Sequence, residues 1–232
     1  MSSLETTIGS AAVTGTEVAT SRLHLAALPT ARVALAAAAA LILLLGPPAA
    51  ADDEPVIGGP CEGCELVFVG MPESLSTEAR IAPPDEPGEP MRIEGIVTDS
   101  DGRPAAGVIV YAYHTDAGGI YPAASTRHGR LRGWARTDDN GYYRFDTIRP
   151  GAYPEGTVPQ HVHMHVIEPG YATYWIQSIQ FAEDSLLTAR QRRRAVAGRG
   201  GSGLVEPVRD DSGVWLVQRD IRLGEGVPDH RP

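Results

Sequence analysis

From Met91 onward the chain is broken into short alternating apolar and polar segments separated by Asp-Gly and Asn-Gly turns. Arg92-Ile93-Glu94-Gly95-Ile96-Val97 leads into Asp99-Ser100-Asp101-Gly102, and Gly107-Val108-Ile109-Val110-Tyr111-Ala112-Tyr113 follows. Gly133-Trp134-Ala135-Arg136-Thr137 precedes the turn Asp138-Asp139-Asn140-Gly141, after which Tyr142-Tyr143-Arg144-Phe145 and the stretch His161 to Ile167 alternate again. A period of two places successive side chains on opposite faces of a strand, and Gly in such turns takes up the positive φ that a tight reversal needs. The pattern predicts an all-β domain, an antiparallel β-sandwich, over residues 91–232. Its last strand is expected to run from Val214-Trp215-Leu216-Val217 on to Ile221-Arg222-Leu223. Between these strands, Ser185 to Gly203 predicts one short helix followed by a Gly-rich loop. Its arginines, Arg190, Arg192, Arg193 and Arg194, read as a solvated face, with an acidic partner as the alternative.

Upstream of the sandwich the composition changes twice. Residues 52–90 are rich in Pro, Glu and Gly around one apolar run, Leu66-Val67-Phe68-Val69, and read as an N-terminal arm packed against the domain. Val33 to Leu45 is an apolar run of 13 residues, preceded by Arg22 and Arg32 and followed by Ala49-Ala50-Ala51. That is the pattern of a signal peptide over residues 1–51, and the run is short for a bilayer span. The expectation is export by the general secretory route with cleavage near Ala51, leaving no stable membrane insertion; an uncleaved anchor is the competing reading. The formal net charge of −9 gives no support for nucleic-acid binding. Cys61 and Cys64 are the chain's two cysteines, too few for a four-cysteine zinc site; a local disulfide and a redox pair both stand.

The stretch that carries chemistry is Val158-Pro159-Gln160-His161-Val162-His163-Met164-His165. On a strand, His161, His163 and His165 share one face, where they form either a metal-binding row or a solvent-facing one. Tyr153, in Arg149-Pro150-Gly151-Ala152-Tyr153-Pro154, precedes His161 by eight residues, and Tyr121 sits in the glycine-flanked loop Gly118-Gly119-Ile120-Tyr121-Pro122.

Taken jointly, these segments resemble the intradiol ring-cleavage dioxygenases, which include the catechol and protocatechuate enzymes. The resemblance rests on a loop tyrosine, then Thr137-Asp138-Asp139-Asn140-Gly141-Tyr142-Tyr143-Arg144-Phe145-Asp146-Thr147-Ile148-Arg149-Pro150-Gly151-Ala152-Tyr153-Pro154, then His161-Val162-His163, and covers roughly Met91 to Leu223. It implies a non-haem Fe(III) centre held by Tyr121, Tyr153, His161 and His163, with His165 outside the set. It further implies an aromatic diol and O2 as substrates, a cis,cis-muconate type diacid as product, and a tyrosinate, Tyr153 by analogy, that leaves the metal as the diol binds. Phenolates are hard anionic donors suited to ferric iron, and ferric iron acting as a Lewis acid requires no reductant. The resemblance also leaves room for a homo-oligomer.

Three positions depart from the family pattern. Val158 stands where many members carry Arg, Glu155 where a Trp often follows the Tyr-Pro pair, and Ser178 in place of a glutamine, with Gln177 and Gln180 close by. These departures concern the substrate pocket rather than the metal ligands. Two other readings compete: a non-catalytic exported module of transthyretin-like or carboxypeptidase-regulatory-like type, suggested by Ile93 to Val110, and a divalent-metal binder using His161, His163 and His165.

Overall fold

The computed structural model describes residues 55–61 and 63–231. The expected signal segment lies outside them. Among the described residues no helix is long and apolar enough to cross a membrane.

Two sheets face each other, as the alternating pattern predicts. The first contains β1 (Glu78–Arg80), β2 (Pro90–Thr98), β5 (Tyr142–Ile148), β9 (Val208–Arg209) and β10 (Trp215–Gln218) in the order β1-β5-β2-β10-β9, with β11 (Ile221–Arg222) also paired to β2. The second has the order β4-β3-β6-β7-β8, built from β3 (Ile109–Tyr113), β4 (Arg132–Arg136), β6 (His161–Glu168), β7 (Ala172–Phe181) and β8 (Leu204–Val205). A single α-helix, α1 (Ala189–Val196), follows β7. It starts with a capping box, in which Gln191 N–H donates to Thr188 Oγ1 and Thr188 N–H to Gln191 Oε1, satisfying two otherwise unpaired donors.

The long central pairings, β2–β5, β3–β4, β3–β6 and β6–β7, are antiparallel as expected. The short strands β1, β8, β10 and β11 pair in parallel, so both sheets are mixed. None of these four is joined to its parallel neighbour by a hairpin, and no tight turn fixes its direction. The expected last strand is also divided. Its two halves, β10 and β11, both lie on β2, and Arg219 between them donates its N–H to the Glu94 carbonyl. Gly95 makes this possible, because a Cβ there would stand 2.0 Å from the Arg219 carbonyl oxygen.

The main core fills the space between the sheets. Ile93, Val97 and Phe145 from the first sheet meet Val110, Val162, Met164 and Val166 from the second, all at most 1% exposed. Each such side chain contributes about 1.5–3 kcal/mol through burial. The other face of the second sheet carries a smaller apolar cluster. There Ile109, Tyr111, Tyr113, Trp134 and Ile167 are covered by Val67, Phe68, Met71 and Leu75, and Trp134 Nε1–H donates to the Val67 carbonyl at 2.8 Å. Beside this cluster, on the same outer face, lie the histidines of β6.

Candidate active site

Two loops and one strand bring the four predicted ligands together. Asp116 organises the first loop: its side chain accepts from the N–H groups of Gly118 and Ile120, and its carbonyl accepts from the N–H groups of Gly119 and Gly151. Thr115 Oγ1 donates to the Gly151 carbonyl at 3.0 Å, which binds this loop to the one that carries Tyr153. Gly119 adopts φ +81°, and a Cβ on it would lie 1.8 Å from the Ala152 carbonyl oxygen. The two loops therefore approach more closely than any other residue at 119 would permit. As a result the hydroxyl of Tyr153 donates to that of Tyr121 at 3.4 Å.

On β6, His161 and His163 direct their Nε2 atoms at one another, 3.0 Å apart. His161 Nδ1–H donates to the Pro159 carbonyl at 2.8 Å, so its neutral ring presents a lone pair at Nε2. A backbone carbonyl that fixes the tautomer in this way is a common companion of a metal-ligating histidine. Burial lowers the pKa of both rings, that of His163 to about 3, with the neighbouring His161 reinforcing the effect. The rings are thus neutral donors at ordinary pH. Tyr153 completes the arrangement, its ring 5.6 Å from that of His161. Burial and the adjacent Tyr153 hydroxyl push the Tyr121 phenol well above its usual range, so ionising it calls for a cation in the site. Two phenols and two neutral imidazoles, one with its lone pair turned inward, fit a hard trivalent ion such as ferric iron.

Tyr121, Tyr153 and His163 line a cavity of about 420 Å³, and His161 contacts it only through His163. The lining also includes Pro60, Cys61, Arg127 and Trp175. Trp175 Nε1–H donates to the Pro60 carbonyl at 3.2 Å, and Cys61 is joined to Cys64 by a disulfide. Among the described residues Arg127 is the only Arg or Lys lining this cavity, and it pairs with Glu65 at 3.2 Å.

His165 points away from the His161–His163 pair. Its Nε2 lies 3.7 Å from Cys61 Sγ, and its buried Nδ1 has no hydrogen-bond partner. Among the described residues, Cys61, Cys64 and His165 form the only cluster of three His, Cys or carboxylate donors close enough to share an ion. With the sulfurs joined to each other, neither is a thiolate donor. The three β6 histidines do not converge, so this geometry gives no support to a site made from them alone.

A β-bulge accounts for Ser178. Val162 pairs with Ile179 and Met164 with Ile176, so two residues, Gln177 and Ser178, oppose the single His163. Ser178 lines the ligand cavity, its Oγ 3.5 Å from His163 Nδ1, whereas Gln177 and Gln180 line a different cavity. Neither Val158 nor Glu155 borders the ligand cavity. Val158 instead closes the tyrosine loop, its carbonyl accepting from Tyr153 N–H at 3.1 Å.

Sequence reasoning missed the support beneath the ligands. Tyr113 stacks on His128 at 3.8 Å between ring centroids and on His163 at 4.6 Å. Tyr111 is hydrogen-bonded through its hydroxyl to His128 Nδ1 at 2.8 Å. Tyr111 and Tyr113 stand directly opposite His165 and His163 across the β3–β6 ladder. Their spacing of two on a predicted strand was the available signal, and it required the strand pairing to be useful.

Residues 66–199, more than half of the chain, match the family described as Dioxygenase, and the chain belongs to the intradiol dioxygenase family. Catechol 1,2-dioxygenase 1 of Acinetobacter lwoffii is 32% identical over 105 residues, covering 41% of this chain and 34% of its own. The protocatechuate 3,4-dioxygenase beta chain of Burkholderia cepacia is 30% identical over 112 residues, covering 43% of this chain and 48% of its own. The chain therefore spans about a third to a half of the length of these relatives. The mercury-inhibited structure of catechol 1,2-dioxygenase from Acinetobacter sp. ADP1 superposes with a TM-score of 0.53 at 23% identity, over 87% of this chain and 73% of that one, a likeness of fold.

Proposed function

We propose that this protein cleaves the ring of an aromatic ortho-diol between its two oxygen-bearing carbons, adding both atoms of O2 to give a cis,cis-muconate type diacid. The observation that carries this reading is the convergence of Tyr121, Tyr153, His161 and His163 at one cavity, which Tyr121, Tyr153 and His163 line and to which His161 is joined through His163. These residues would hold a ferric ion, which supplies Lewis-acid activation of the diol when bound. The reaction balances without a reductant, since diol plus O2 contains every atom of the diacid.

The chain's own groups have separate tasks in this scheme. Tyr153 Oη, once ionised, would accept a diol proton: its ring borders the cavity, and its loop is closed by bonds from its own N–H to Val158 and from Gly156 to its carbonyl. Tyr121 would be the other phenolate, its loop tied to Asp116 and pressed against Ala152. Ser178 and the Pro159 carbonyl orient the imidazoles. Arg127 provides positive charge at the cavity lining, where a ring gaining electron density would be stabilised. Export through the segment before residue 52 is part of the same proposal, and amino-terminal sequencing of the mature protein tests it.

The decisive experiment is ferric loading followed by assay with a panel of catechols under labelled dioxygen. The reading requires a red to burgundy protein and a diacid product that carries two labelled oxygens. A colourless loaded protein, or a product with fewer than two labelled atoms, would overturn it.

A further inference from the structure

A second cavity, of about 710 Å³, opens on the far side of Trp175, which borders both spaces. Its lining includes Arg190, Arg193 and Arg194 from α1, together with Arg199 and Gln180, and among the described residues none that lines it is acidic. That is unusual in a chain of net charge −9, where arginines elsewhere sit on carboxylates, as Arg130 does on Glu86 and Arg149 on Glu183. Among the described residues, none of the four arginines takes part in an ion pair. Two buried polar atoms of the lining residues, Gln180 Oε1 and Arg199 Nη1, also lack hydrogen-bond partners among the described residues; of the two, only the Arg199 donor is one that an anion would satisfy, since Gln180 Oε1 is itself an acceptor. The Arg199 guanidinium lies over the Trp175 ring at 3.7 Å and donates to the Gly58 carbonyl at 2.6 Å, so the ridge between the cavities is held in place.

The geometry points to an anion-binding subsite that adjoins the diol cavity and takes the carboxylate of an aromatic diol bearing an acidic side chain. The inference rests on the proposed ring cleavage for the identity of the diol. The arginines supply planar, multidentate donors suited to a carboxylate, and the absence of internal counter-ions leaves them available. Trp175 offers an apolar edge along which the connecting carbons of such a side chain would pass.

The test compares dihydrocaffeate with its neutral methyl ester, measuring calorimetric affinity of the ferric-loaded protein under anaerobic conditions and then kcat/KM in air. The wild-type protein is expected to bind the acid about tenfold more tightly than the ester, the scale of one charge-assisted hydrogen bond. The triple variant Arg190→Gln/Arg193→Gln/Arg194→Gln, which keeps helix propensity nearly constant, should erase that difference. Equal affinities in the wild type, or a preference that survives in the variant, would overturn the subsite. An arginine-dependent preference for the acid without ring cleavage would leave the subsite standing and remove the proposed reaction. Cleavage of both compounds without such a preference would do the reverse.

Discussion

Tyr121 and Tyr153, 32 residues apart in sequence, bring their hydroxyls to 3.4 Å because Gly119 is packed against the carbonyl of Ala152. The first prediction concerns the phenols themselves. In ferric-loaded protein, Tyr121→Phe and Tyr153→Phe should each weaken and shift the visible charge-transfer absorption, and the double variant should lose it. An unchanged visible spectrum in either single variant would exclude that residue as a ligand.

The loop contact makes its own prediction. Gly119→Ala introduces a Cβ into a carbonyl oxygen at a backbone angle unfavourable to L-residues, and should cost about 1–3 kcal/mol in denaturant unfolding. The loops must separate to relieve the clash, so ferric affinity should fall with stability. A variant as stable as the parent, with undiminished iron binding, would show that the close approach is not required.

His114, outside the proposed ligand set but close enough to feel His161, gives a pH dependence of stability. It is fully buried, Nδ1–H donating to the Thr115 carbonyl at 2.6 Å and Nε2 accepting from Thr147 Oγ1 at 2.7 Å. Burial lowers its pKa to about 4, only partly opposed by the Thr115 hydrogen bond. Above the ordinary histidine value near 6.5, both folded and unfolded forms are neutral and the group costs nothing. As the pH falls from about 6.5 to 4 the unfolded chain takes up a proton that the folded one refuses, and stability drops, by up to about 3 kcal/mol. Unfolding curves across this window should flatten in His114→Gln relative to the wild type; superimposable slopes would contradict the assignment.

The disulfide bears on the cavity wall. Cys61→Ser/Cys64→Ser should lower stability by about 2 kcal/mol on the loop-entropy argument for so short a loop. Because Cys61 and Pro60 line the cavity without being ligand candidates, KM for a diol should rise severalfold while the visible spectrum of the ferric form is retained. An unaltered KM would mean that this wall does not contact the substrate.

Much of this was legible in the residues. Alternation and Asp-Gly turns predicted β2, β3, β5 and β6, since each strand buries one face and each turn is locally encoded. The helix was visible in the stretch Ser185 to Gly203, whereas its start at the capping pair Thr188 and Gln191 emerged only from the structure. The short strands β1 and β8 were not legible, because they have two or three residues each and take their direction from distant neighbours, and for β11, expected as the end of the last strand, the separate parallel pairing to β2 was not. For the site, the His-x-His spacing indicated a shared face for His161 and His163, while the divergence of His165 toward Cys61 depends on a segment a hundred residues upstream. The bulge that presents Ser178 to His163 left no local signal, since it is a mismatch in pairing rather than a pattern within either strand.

The second sheet divides its two surfaces between different kinds of demand. Val162, Met164 and Val166 face the first sheet, whereas His161, His163 and His165 alternate with them and face outward. Drift in sequence on the inner surface is therefore read by the unfolding equilibrium, and drift on the outer one by the chemistry. A lineage could retune what the outer surface accepts, through Ser178, Trp175 or the arginines of α1, without renegotiating whether the chain folds.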